Sequence, residues 1–137
     1  MEVSTMNHQK NLLQSFLSSL GSRAAGEKKQ HQEKEFFFNE FYVAGYPYYQ
    51  AEEIEETLLE GKQVYFVREP GCQHDSRAVE VYANGKKLGY IPRRDNNNIA
   101  QLMDKGITIN GEICKRNFDD IPCRRVKISA YRYKENN

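Results

Sequence analysis

Tryptophan is absent from the 137-residue chain, and cysteine and histidine occur only three times each. Cys72, Cys114 and Cys123 leave one thiol over from any pairing, and no two of them stand in a Cys-x-x-Cys spacing. That argues against a disulfide framework and a zinc knuckle, and fits reduced thiols. Cys72 and His74 have half the spacing of a metal site, but the chain offers no second pair. No apolar run approaches the roughly 20 residues that a membrane span needs. The first residues also lack a basic region followed by an apolar one, the mark of a secretory signal. The expectation is a cytoplasmic protein without a membrane segment. GxSxG, P-loop and HExxH motifs are missing as well. His74-Asp75 is half of an acid–base pair with no nucleophile, and neighbours in an extended chain tend to point in opposite directions. No catalytic residue, metal or cofactor is therefore expected. A nuclease or esterase would need a metal or nucleophile that the sequence does not supply.

The net charge of +1 hides an asymmetry. Between Glu40 and Glu69 seven acidic residues face only Lys62 and Arg68, whereas from Arg77 onward thirteen basic residues face seven acidic ones. Such a distribution can build a basic face on a nearly neutral molecule. It can equally be a solvated surface.

Residues 1–35 differ from the rest: they are rich in Gln, Lys, Ser, Glu and His, and Phe16 is the one aromatic. Leu12, Leu13, Phe16, Leu17 and Leu20 form a helical stripe that Gly21 would stop. The charged stretch GEKKQHQEKE then reads as a linker. The division expected is an N-terminal extension over residues 1–35, partly helical or disordered, and a folded domain over residues 36–137. Deletion of the extension is expected to leave the domain folded.

From Phe36 the pattern is that of strands. FFFNEFYVAGY is aromatic and β-branched. EEIEETLLEG makes a short helical turn with Ile54, Leu58 and Leu59 on one face. KQVYFVRE alternates, with Val64, Phe66 and Arg68 opposite Tyr65 and Val67. REPGCQHD is a loop. Residues 78–83 pair with residues 86–91 through Asn84-Gly85, a strong hairpin turn. Asp95 is placed to cap a helix carrying Ile99, Leu102 and Met103 that Gly106 stops. ITINGEICKR and RRVKISAYRYK alternate again. Six short strands and two short helices in this length predict a mainly β fold, a small OB-like barrel.

Small β-barrels bind single strands of nucleic acid on aromatic platforms flanked by cations. Candidate aromatics are Tyr46, Tyr48, Tyr49, Tyr65, Tyr90 and Phe118; candidate cations are Arg93, Arg94, Lys115, Arg116, Arg124, Arg125 and Lys127. Within VAGYPYYQ, Pro47 cannot donate to a sheet ladder, so the strand should end there and leave Tyr48 and Tyr49 on a rim.

Gly45 with Tyr48-Tyr49, Glu69-Pro70 with Asp75 and Ala78, and Gly89-Tyr90-Ile91-Pro92 followed by a helix resemble, in order and spacing, the HIRAN domain. The resemblance covers about residues 40–133. This family occurs in SWI/SNF-type DNA-remodelling ATPases and as small free-standing bacterial proteins. The resemblance implies an OB-like barrel that binds the 3′ end of single-stranded DNA. It places the family's tyrosine pair on Tyr48 and Tyr49, its end-binding aspartate on Asp75, and its phosphate-binding lysine on Arg93. Tyr90 follows the strand glycine. Arg94, His74 and Phe118 complete the expected DNA-binding set. The chain departs from the family pattern with Pro47 where an arginine precedes the tyrosines, and with Cys72, His74 and Arg77 in the loop. The partner implied, beyond the DNA, is a helicase, nuclease or other DNA-processing protein. A protein-interaction adaptor without DNA-end specificity is the alternative. Asp75 can also serve as an Asx-turn holding the bend of its own loop.

Overall fold

The computed structural model describes residues 32–36 and 40–135; the apolar stripe over residues 12–20 lies outside them. A compact unit opens at Lys34. Its strands are β1 (Lys34–Phe36), β2 (Phe41–Tyr42), β3 (Gln63–Arg68), β4 (Val79–Ala83), β5 (Lys86–Tyr90), β6 (Asn110–Arg116) and β7 (Val126–Tyr133), with the helix α1 at Asn97–Asp104. All pairings are antiparallel, in the order β1-β7-β6-β3-β4-β5, and β2 also pairs with β7. The fold is the expected mainly β, OB-like barrel. It has seven strands rather than six because β1 begins at Lys34, inside the charged stretch read as a linker, and is separate from β2, both being laid on β7.

Residues 41–44 close the barrel. Their first half pairs with β7, and Val43 N donates to Val126 O at 3.1 Å. Ala44 then turns to the other end of the sheet: its N donates to Tyr90 O at 2.8 Å, and Tyr90 N donates back to Ala44 O at 2.9 Å. The approach is so close that a Cβ on Gly89 would lie 2.2 Å from Ala44 O, and Gly89 has φ 151°. Only glycine meets both conditions.

Alternation fills the interior. Val64 of β3, Val79, Val81 and Ala83 of β4, Ile113 of β6, and Val126, Ile128 and Ala130 of β7 are all buried, with Ile99 and Ala100 of α1 covering one end. The hairpin between β4 and β5 turns at Asn84 (φ 51°) and Gly85 (φ 75°), the paired positive angles of a type I′ turn.

Two local expectations change. Asp95 does not cap α1: Arg93–Asp95 forms a 3-10 turn, and the cap position falls on Asn96, whose side chain makes no capping bond. The end of α1 is as expected. Gly106 N bonds to Met103 O and Ile107 N to Leu102 O, a Schellman closure at a positive-φ glycine. In EEIEETLLEG the segment Ala51–Thr57 is an irregular 3-10 run broken at Ile54. Helical phase is lost there, so Leu58 is buried while Leu59 is 54% exposed.

Gly89→Ala should destabilise the domain by about 3 kcal/mol, through backbone strain and loss of the closing bridge. Gly71→Ala, with nothing within 4 Å of its added methyl, should stay within about 0.5 kcal/mol of the parent. Urea unfolding of the two variants checks this, and equal midpoints would contradict it.

Candidate nucleic-acid interface

The tyrosines of VAGYPYYQ divide by fate. Gly45 turns the chain at φ 73°, and Tyr46–Tyr48 forms a 3-10 turn with Pro47 in its first positions. The strand ends before the proline: β2 stops at Tyr42, Ala44 makes the last bridge, and the left-handed turn at Gly45 breaks the extended chain. Tyr46 is fully buried, and its hydroxyl donates to Glu55 Oε2 at 2.8 Å. Burial, reinforced by Glu55, pushes this phenol far above the ordinary tyrosine range. Tyr46 is thus a core residue and no part of a platform. Tyr48 is 82% exposed and Tyr49 38%. The Tyr49 ring lies across the turn: a Cβ on Gly45 would sit 3.1 Å from its edge.

The closing bridge sets Tyr49 beside β5. Its ring meets that of Tyr90 edge-on, with centroids 5.8 Å apart. Lys87 Nζ stands 4.3 Å from the Tyr49 centroid and 4.2 Å from that of Tyr90. It donates to Tyr90 Oη at 2.9 Å and pairs with Glu80 at 3.0 Å. Tyr90 Oη in turn donates to Glu69 Oε1 at 2.5 Å. Burial and the Glu69 bond push the Tyr90 phenol up to about 12, against the lowering influence of Lys87. Desolvation disfavours the Lys87 ammonium, but its bonds to Tyr90 and Glu80 prevail and hold it above the ordinary lysine value. Lys87 and Tyr90, three residues apart, share a face because the register shifts between them. Tyr82 pairs with Lys87 and Val81 with Gly89, so Leu88 is the extra residue of a bulge.

Past Glu69 runs the loop to β4, which holds Asp75. Arg68 clamps it: its guanidinium donates to Ala78 O (2.8 Å), Ser76 O (3.1 Å) and both carboxylate oxygens of Asp104 at the end of α1 (2.8 and 3.1 Å). Asp75 Oδ1 accepts from Arg77 N at 2.9 Å, which is the Asx-turn, and Oδ2 accepts from Asn96 Nδ2 at 2.6 Å. Partial burial raises the carboxyl, but these bonds and the charges of Arg93 and Arg77 outweigh it and keep it below the ordinary aspartate value. Arg93 lies 4.0 Å from Asp75 and donates to His74 O, with its side chain two-thirds exposed. Asn96 is fully buried, and its Oδ1 meets no donor among the described residues.

Tyr49 and Tyr90 thus meet directly, and Asp75, His74 and Arg93 form a second group beyond the end of β5. Arg94 projects into solvent, 3.6 Å from Asp95. Phe118 lies apart on the connection from β6 to β7, half buried, with the Arg116 guanidinium 4.4 Å above its ring. The predicted cations also separate. Arg125 is tied to Glu52 and Glu55 beneath Tyr46, and Lys127 pairs with Glu40 at 3.8 Å. Among the described residues no group of His, Cys, Asp and Glu is arranged to hold a metal ion. Sequence reasoning missed Lys87 and Asn96. Strict alternation puts Lys87 and Tyr90 on opposite faces, and only the bulge reverses that. Asn96 looked like one of three equivalent asparagines.

Tyr46→Ala should cost about 3–5 kcal/mol of stability, as other large buried aromatics do. Tyr48→Ala should change stability by less than about 0.5 kcal/mol. Chemical denaturation distinguishes the two; similar losses would place both rings in the core.

The sequence model of the HIRAN domain matches residues 36–131. No curated protein matches the chain significantly. Among solved structures, a protein from Lactobacillus plantarum superposes with a TM-score of 0.66 at 26% identity, over 77% of this chain and 100% of that one. The HIRAN domain of human HLTF superposes with a TM-score of 0.58 at 18% identity, over 73% of this chain and 78% of that one, a likeness of fold. With the family match spanning most of the chain, the chain belongs to the HIRAN domain family.

Proposed function

We propose that the protein binds single-stranded DNA, recognises its 3′-hydroxyl end, and works beside a separate DNA-processing protein such as a helicase or nuclease. Membership in a family of DNA-binding domains supports the first part. The observation that carries the reading is the exposed pair Tyr48 and Tyr49; Asp75 and Arg93, 4.0 Å apart, supply the second group. Stacking on an aromatic ring tolerates any base, so Tyr48 and Tyr49 supply affinity without sequence preference. Arg93 and Arg94 keep their guanidinium groups in solvent, where a phosphate can reach them. Tyr90 belongs to the aromatic group beside Tyr49 and His74 to the group of Arg93, and we assign Phe118 to a longer strand.

Asp75 supplies the preference for an end. Each of its oxygens accepts one hydrogen bond and retains capacity for another. An ionised carboxylate accepts from a terminal hydroxyl and repels a terminal phosphate. Held below the ordinary aspartate value, it stays ionised throughout the neutral range. The loop-capping role and the end-sensing role are compatible, because the Asx-turn is what fixes the carboxylate in place.

Fluorescence anisotropy with short oligonucleotides tests the platform. The Tyr48→Ala/Tyr49→Ala double variant should stay folded and lose about 1–3 kcal/mol of binding per base unstacked. Arg93→Glu should weaken binding to every sequence alike and lower the salt slope. Undiminished affinity in the folded double variant would remove the reading's main support; binding indifferent to salt would favour the adaptor alternative.

Asp75→Ala should reduce the preference for a 3′-hydroxyl over a 3′-phosphate and leave mid-strand binding intact. The sign with pH follows from the lowered carboxyl. The ionised form, and the preference, should be fully present from pH 8 to about pH 5 and fade only as pH falls below about 4, the ordinary aspartate midpoint. Competition between the two oligonucleotide ends across pH measures this. A preference that disappears near pH 6 would point to a histidine instead.

A further inference from the structure

Lys87 touches both rings of the Tyr49–Tyr90 pair, at 4.3 and 4.2 Å from their centroids. Its ammonium is also matched by Glu80 at 3.0 Å and by Tyr90 Oη at 2.9 Å, and the side chain is less than one-fifth exposed. A lysine that serves phosphate presents its ammonium to solvent, as the Arg93 and Arg94 side chains, 66% and 87% exposed, are presented here. The charge of Lys87 is already compensated inside the protein. What it does hold is the Tyr49 ring. That ring rests on Gly45 on one side and meets Tyr90 at an interplanar angle of 65° on the other. A cation held at the Tyr90 hydroxyl and 4.3 Å from the Tyr49 centroid draws the Tyr49 ring toward itself. Without it, a ring that is 38% exposed can swing to another staggered rotamer.

We propose that Lys87 is a positioning residue for base stacking: its ammonium locks the Tyr49 ring edge-on to Tyr90, and it acts on single-strand binding through the orientation of that ring and not by neutralising a phosphate. The inference rests on the reading of Tyr48 and Tyr49 as a stacking platform. The bulge at Leu88 is what makes the arrangement available, since it brings Lys87 to the face that carries Tyr90. Glu80 holds the ammonium from the neighbouring strand, opposite Tyr90 in register.

The test uses the full chain, a 3′-hydroxyl oligothymidine, and the variants Lys87→Met and Lys87→Arg. Lys87→Met keeps the length of the stem and removes the charge; Lys87→Arg keeps the charge but replaces the compact ammonium with a planar fork that cannot repeat its bonds to Tyr90 Oη and Glu80 in the same geometry. Two measurements are made: proton NMR of the tyrosine rings without DNA, and affinity as a function of salt. In the parent, the Lys87 ε-methylene should show through-space contacts to both rings. In both variants the Tyr49 ring signals should move toward those of a solvent-exposed tyrosine, with affinity lower by roughly five- to tenfold, between the scales of an exposed and a desolvated cation–π contact, and the salt slope unchanged. A slope lower by about 0.7 in Lys87→Met, the value for one phosphate of a single strand, with affinity retained in Lys87→Arg, would overturn the proposal in favour of a direct phosphate contact. Unmoved ring signals with parental affinity would also overturn it. If Lys87→Met fails to fold, Lys87→Arg decides alone. A parent protein that does not bind the oligonucleotide overturns the platform reading itself, and the proposal with it.

Discussion

The two hydrogen bonds between Ala44 and Tyr90 are the contact on which the rest of the arrangement depends. Each contributes only about 1 kcal/mol in net terms, yet together they convert an open sheet into a barrel and set the aromatic turn against the end of β5. On one side of the bridge the chain passes at once into Gly45 and the tyrosine turn. On the other it passes from Gly89 through Tyr90 to Pro92 and Arg93. The bridge exists because Gly89 has no side chain: any Cβ there would collide with the Ala44 carbonyl. A single missing methyl thus governs both the closure of the core and the assembly of the candidate interface.

The candidate interface is less basic than the charge count of the chain's second half implies. Glu80 and Glu69 face Lys87 and Tyr90, Asp75 faces Arg93, and Glu52 and Glu55 absorb Arg125. A sequence tally counts these cations as free, while the fold pairs them. The proposed binding mode therefore relies on stacking, with a few exposed guanidiniums supplying the electrostatic attraction. Asp75 carries two roles in one geometry. The bonds from Arg77 and Asn96 that fix its loop also keep its carboxyl ionised.

Much of the fold was legible because it follows from local rules. The alternation of β3, β6 and β7 marked them as strands, Asn84-Gly85 named the hairpin turn, and Gly106 named the end of α1. Where the reading slipped, a local rule met a competing one. Asp95 is a good cap residue, but Pro92 favours a tight 3-10 turn that carries the cap on to Asn96. Leu59 fits a helical face on paper, but the segment before it breaks at Ile54 and loses phase. The apolar stripe over residues 12–20 lies outside the described residues and adds nothing to this comparison.

The candidate site shows the same division more sharply. By itself the sequence determined which residue types lie at the rim and in what order, since a proline, a glycine and a run of tyrosines constrain the backbone locally. It also carried the family likeness, which resides in spacing. Only the tertiary structure decided that Tyr46 points into the core while Tyr48 faces solvent, that a bulge puts Lys87 on the face of Tyr90, and that Asn96 reaches back to Asp75. The reason is physical. The backbone's local preferences fix where a turn occurs, but the face a side chain occupies after the turn, and the charge that meets it, are set by segments far away in the chain that the barrel brings within a few ångströms.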